Sequence, residues 1–197
     1  MNAASLGEFV GNLIIHMAEN QLPEVHKLVR RNRTATHFNL LLAFAWVSHV
    51  KLQQLLEDHD AGETVRMMLA AVMKRAMRIT KWNYDVMRVA LENRLEGYDD
   101  ASSDEQGDSL NNITKYFVAC CEELRQEVHY DEIIPDPEDL EELGDMVDPK
   151  ALAQLKRMRR EQRSLTYSLR LMDMSMVGAS ILSMGSATEK AVAEYGG

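Results

Sequence analysis

Residues 36–56 read THFNLLLAFAWVSHVKLQQLL, and the fold follows from how polarity is spread along them. Between Phe38 and Val47 only Asn39 is polar, so a helix here is apolar all round and must be enclosed by other elements. Past Ser48 the apolar residues thin to Val50, Leu52, Leu55 and Leu56, the one-sided spacing of a helix emerging toward solvent. A helix of about 20 residues spans roughly 30 Å, the width of a small domain. His49 and Lys51 interrupt the run before it reaches the ~18 consecutive apolar residues of a membrane span. The stretch predicts the buried central helix of an N-terminal bundle.

Upstream, Ser5 and Glu8 form a capping-box pair ahead of an apolar face at Leu6, Phe9, Val10, Leu13, Ile14 and Met17. Pro23 suits the first turn of a second, short helix through Val25, Leu28 and Val29, which ends in the basic run RRNR at 30–33. Thr34 or Thr36 is the expected cap of the central helix, and Gly62 its terminator. Downstream, Thr64 caps a pattern through Met67, Met68, Ala71, Val72, Met77, Val86, Val89, Ala90 and Leu95, with a break expected near 79–83.

Residues 96–112 carry six carboxylates, two glycines and almost nothing apolar, the composition of a flexible link. Ser109 then caps a helix containing Ile113, Phe117, Val118, Cys121, Leu124 and Val128. Asp136-Pro137 and Asp148-Pro149 start two further helices, the first ending at Gly144. The last segment has apolar positions from Leu152 to Met184, an expected break at Gly178 or Gly185, and a final short helix through Ala191 and Val192. No stretch alternates with period two long enough to suggest a sheet. The prediction is all-α: two helical-bundle domains, 1–97 and 110–197, joined by an acidic flexible linker at 98–109.

A net charge of −9 argues against a protein that coats nucleic acid over its whole surface, while leaving room for local basic patches. Adjacent Cys120 and Cys121 are no disulfide framework and suit a reducing compartment. The N-terminal region is amphipathic without a basic leader, Asn2 stands where myristoylation needs glycine, and the chain ends in YGG. Any membrane contact is therefore expected to be peripheral.

Catalytic patterns are weak. His59-Asp60 resembles the core of a metal-dependent phosphohydrolase pair but falls in a polar turn. Arg31-Asn32 followed by His37 matches a loose pattern of some helical ribonucleases, and such patterns arise often by chance. There is no E-x-x-H pair, phosphate loop, G-x-S-x-G or H-E-x-x-H. No enzyme, metal or cofactor is expected. The methionines, 13 in all, fall mostly on apolar stripes and suit core packing, although the low-charge tail 165–187 could also bury a neighbouring subunit.

What remains is basic. Three clusters stand out: Lys27, Arg30, Arg31 and Arg33; Lys74, Arg75, Arg78 and Lys81; and Lys150, Lys156, Arg157, Arg159, Arg160 and Arg163. The third follows a stretch with nine carboxylates, Asp131 to Asp148, so charge pairing across a helical hairpin competes with an exposed patch for anionic lipid or an RNA backbone. Each basic side chain near an anionic surface contributes on the order of 1 kcal/mol, and salt weakens the attraction.

The order of these features resembles the matrix protein of the orthomyxoviruses. LPEVHKLVRRNR precedes the buried THFNLLLAFAW, KLQQLLEDHDAG and the basic VMKRAMRIT follow, then KWNYDVMRVAL, ITKYFVACCEELRQEVH and MSMVGASILSMGSATEKAVAEY. The resemblance is to a divergent member of another genus. It implies a non-enzymatic scaffold that polymerises into a layer beneath the viral envelope and binds the inner leaflet electrostatically. It also implies contact with the viral ribonucleoprotein (RNA and nucleoprotein), with a nuclear export protein and with envelope glycoprotein tails. The locations implied are the virion, the host cytoplasm and inner face of the plasma membrane, and the host nucleus. The family's basic helix maps onto Lys74, Arg75, Arg78 and Lys81, interrupted here by Ala76 and Met77. A zinc set discussed for some members keeps Cys121 and His129, but its other two positions are Val118 and Glu132; valine cannot ligate, so structural zinc is rejected. The competing expectation is a soluble oligomeric adaptor or assembly protein of another virus or phage, with its basic clusters spent on internal salt bridges.

Overall fold

The structure, a computed structural model, describes residues 2–103, 109–121 and 171–195. These form six helices and no strand: α1 (Ala3–Val29), α2 (Arg33–Leu55), α3 (Asp58–Thr80), α4 (Tyr84–Ser103), α5 (Ser109–Cys120) and α6 (Leu171–Tyr195). The protein is all-α, as the patterning predicts.

Helix α2 is the axis. From Ala35 to Ser48 every residue except His37 is buried, and α2 touches each of the other five helices. Burying a side chain such as Phe38, Leu41 or Phe44 contributes about 1.5–3 kcal/mol, so the apolar run alone makes α2 the element the others assemble on. After Ser48 burial becomes one-sided, with Leu52 inside and Leu55 45% exposed.

Several local expectations are corrected. Asn2, not the Ser5–Glu8 pair, caps α1, its side-chain oxygen accepting from the Ser5 amide at 2.9 Å. Pro23 starts no new helix but lies inside α1. A proline there removes one backbone hydrogen bond and costs about 3 kcal/mol. Leu22, Val25 and Val29 continue the buried face of Ile14 and Ala18 past it, and that burial outweighs the cost. Asn32 rather than Thr34 or Thr36 caps α2, accepting from the Ala35 amide at 3.0 Å. Gly62 and Thr64 lie inside α3, which starts at Asp58. Gly178 and Gly185 lie inside an unbroken α6. There they are points of close approach, Gly178 to Leu110 and Thr114 and Gly185 to Val47.

The break expected near 79–83 is present: α3 ends at Thr80, Lys81 takes a left-handed conformation (φ 64°), and α4 begins at Tyr84. Residues 98–103 of the expected linker belong to α4; the rest of its acidic core, 104–108, lies outside the described residues. Tyr98 is fully buried, stacked on Trp46 and edge-on to Tyr116. One hydrophobic cluster joins residues from both sides of that stretch, from Leu6 and Phe44 to Phe117, Val177 and Ile181. The helix starts expected at Asp136 and Asp148 lie outside the described residues.

Helix directions decide where the charges go. Gly7 lies against Thr64 and Met67, Gly11 against Met68 and Ala71, and Glu19 pairs with Arg75, so contacts advance together along α1 and α3 and the two run parallel. Helix α2 packs against both and runs the opposite way. Helix α4 follows α2, with Arg94 bonded to Asn39 and Asp99 to Trp46. So does α6, with Thr188 bonded to Ser48 and Glu189 paired with Lys51. The C-termini of α1 and α3 and the N-terminus of α2 thus share one end of the bundle.

Candidate basic surface

That end gathers two clusters that lie more than 40 positions apart in the sequence. The first comes from the α1–α2 corner, the second from the last two turns of α3. Lys27, Arg30, Arg33, Lys74, Arg78 and Lys81 are exposed, while Arg31 and Arg75 are half-buried. On α3 the exposed positions recur every four residues, Arg66, Ala70, Lys74 and Arg78, which makes a solvent-facing ridge leading to Lys81.

Two cations are committed internally. Lys27 pairs with Glu24 at 2.7 Å, and Arg75 with Glu19 at 2.5 Å across the α1–α3 seam. Arg31 also has a partner. Arg30, Arg33, Lys74, Arg78 and Lys81 have no ion pair among the described residues. Helix dipoles account for part of this pattern. Arg30, Arg78 and Lys81 stand at helix C-termini, where cations are favoured by about 0.3–1 kcal/mol. Arg33 does not fit that account: it is the first residue of α2, at the positive end, in a first turn with no acidic residue. His37 lies just inside, its Nε2 buried without a hydrogen-bond partner. Burial first, then Arg75 and Arg33, push its pKa below the usual histidine value, against an opposing pull from Glu19.

The opposite end is acidic. The α2–α3 turn and the first turns of α3 place Glu57, Asp58, Asp60 and Glu63 there, joined by Glu189 and Glu194 from the end of α6. A cavity of about 230 Å³ opens beside them, lined by His49, Gln53, Asp58, Ala61, Gly62 and Val65. His59 and Asp60 lie exposed in the first turn of α3, 3.4 Å apart. Glu63 and Glu189 pair there with Arg66 and Lys51, and among the described residues the bundle is polarised along its axis, basic where α2 begins and acidic on balance where it ends.

The third cluster (Lys150, Lys156, Arg157, Arg159, Arg160 and Arg163) lies outside the described residues, as do the acidic stretch Asp131 to Asp148, His129 and Glu132. Cys120 and Cys121 are buried free thiols, and burial pushes the Cys121 thiol well up. Among the described residues no three His, Cys, Asp or Glu side chains converge as a metal site, and no described helix is long and apolar enough to cross a membrane.

Sequence reading missed one residue of this surface. Tyr84 opens α4 three positions after Lys81 and is 54% exposed. An amphipathic aromatic beside cations suits a membrane headgroup region, but a lone tyrosine in a turn gives no signal by spacing. Comparison with protein-family models, with curated proteins and with solved structures finds no match to this chain.

Proposed function

We propose that this protein is a non-enzymatic scaffold of the viral matrix type. In this reading it self-associates into a layer, attaches to the anionic inner leaflet of the envelope through its basic residues, and links that layer to the ribonucleoprotein. Its roles in budding and nuclear export, and its presence in virion, cytoplasm, plasma-membrane face and nucleus, follow from the same reading. The supporting observation is the joining of two sequence-distant basic clusters at one end of a bundle whose other end is acidic among the described residues. Five cations there have no ion pair among the described residues, and at about 1 kcal/mol each near an anionic surface they suffice for reversible attachment. The Lys27–Glu24 and Arg75–Glu19 pairs favour the second reading, a soluble adaptor whose charges are spent internally.

Vesicle flotation separates the two. The wild-type chain is expected to float with phosphatidylserine-containing vesicles, not with neutral ones, and to be released by salt. Replacing Lys74, Arg78 and Lys81 together with alanine removes three charges and should weaken partitioning on the order of a hundredfold. The same loss from alanine at Arg157, Arg159, Arg160 and Arg163 would assign lipid contact to the third cluster as well. Equal binding to neutral and anionic vesicles, or indifference to salt, sinks the reading. Concentration-dependent sheets on lipid favour the scaffold; a closed ring of fixed size, indifferent to lipid, favours the adaptor.

A further inference from the structure

We propose that Thr34 is a phosphoacceptor whose modification weakens the basic end. Thr34 is exposed, the second residue of α2, directly after the non-helical corner formed by Arg30, Arg31 and Asn32. Arg31 stands three positions before it, Arg30 four, and Arg33 is adjacent. Kinases that recognise arginine upstream of a target hydroxyl require that arrangement, displayed on accessible backbone. The corner supplies part of it: Arg30 and Asn32 are exposed and out of the helix, whereas Arg31 is half-buried and has to turn outward, and Thr34 with the buried Ala35 has to leave the first turn of α2, to be read.

Other hydroxyls do not combine these features. Thr80 follows Arg78 but is buried, its Oγ1 donating to the Ala76 carbonyl. Thr36 is buried and bonded to Asn32. The exposed serines among the described residues, Ser5, Ser103, Ser109, Ser175 and Ser186, have no basic residue in the four positions before them, and the exposed Tyr84 has Lys81 but no arginine there.

In the reaction Thr34 Oγ1 attacks the γ-phosphorus of a nucleoside triphosphate. The new O–P bond forms as the bond to the bridging oxygen breaks. The diphosphate departs and the hydroxyl proton passes to the kinase's base. The product adds about −1.5 to −2 charges within the first turn of α2, at the positive end of its dipole, where no acidic side chain stands. Arg30 and Arg33 lie beside it to pair with the phosphate oxygens. Modification therefore strengthens α2 while offsetting about two of the five charges, unpaired among the described residues, that hold the basic end to an anionic surface, an electrostatic switch.

The test uses the folded full-length chain, the catalytic subunit of an arginine-directed kinase, and ATP, with Thr34→Ala as control. Expected results are phosphate mapped to Thr34 and absent from the control, a thermal midpoint raised by about 2–4 °C, and flotation on phosphatidylserine-containing vesicles weakened tenfold or more. Thr34→Ala should float like wild type. No phosphate on Thr34 in the folded chain overturns the proposal, as does stoichiometric phosphate that leaves flotation unchanged. The flotation arm rests on the membrane reading above. If the unmodified chain never floats, that reading fails, and the proposal stands or falls on phosphate incorporation and the rise in midpoint.

Discussion

Arg30 and Lys81 are the non-glycine residues with positive φ among the described residues, at 53° and 64°. Each closes a helix through its backbone amide, to the His26 and Met77 carbonyls respectively, and both lie at the basic end. A left-handed L-residue costs roughly 1–2 kcal/mol, and glycine is the usual choice there. Arg30→Gly is therefore expected to raise stability by about 0.5–1 kcal/mol in urea denaturation while lowering anionic-vesicle binding severalfold. Stabilisation with undiminished binding would mean that the arginine serves the cap alone. Asn39 shows what a residue's identity conceals. In the sequence it is a lone blemish in an apolar run. In the fold its amide donates to the Ala35 and Cys120 carbonyls and its oxygen accepts from Arg94 Nε at 3.0 Å, joining α2 to α4 and α5. Such a tie depends on partners 55 and 81 positions away, which no local pattern encodes.

At the level of the element, α1 and α3 approach through glycines. A Cβ added at Gly7 would collide with the Thr64 carbonyl oxygen, and one at Gly11 would sit 2.7 Å from Ala71 Cβ. At Gly62, inside α3, it would meet nothing. The same substitution should then have opposite signs: Gly7→Ala destabilising by about 1–3 kcal/mol through overpacking, and Gly62→Ala stabilising by about 0.5–1 kcal/mol through helix propensity. Thermal melts of the two variants check this, and two shifts in the same direction would refute the parallel α1–α3 contact. The central helix was legible because fourteen positions from Ala35 to Ser48 carry one message, burial, and His37 alone departs from it. The helix ends were less so. Pro23, Gly178 and Gly185 look like breaks locally, yet each lies in a helix whose buried face continues on both sides. Tertiary burial outweighs a local breaker worth about 1–3 kcal/mol.

For the whole molecule, each basic cluster is readable from the sequence, but their union is not. It requires knowing that α1 and α3 run parallel with α2 antiparallel against both, and that follows from packing rather than composition. The same packing bears on how the chain unfolds. Val177 and Ile181 of α6 are fully buried in the cluster that holds Phe38, Phe44 and Leu52 of α2, and α6 touches α1, α2 and α5. A charge forced into that contact costs several kcal/mol, a large share of a typical 5–15 kcal/mol stability. Val177→Asp should therefore lower the urea midpoint seen by fluorescence of Trp46 and Trp82, which lie on α2 and in the α3–α4 corner, together with the midpoint of far-UV circular dichroism. Coincident transitions are the signature of one cooperative unit. If the tryptophan signal instead keeps its wild-type midpoint while part of the helical signal melts early, the chain divides near 98–109, and α5 with α6 would be the separable part.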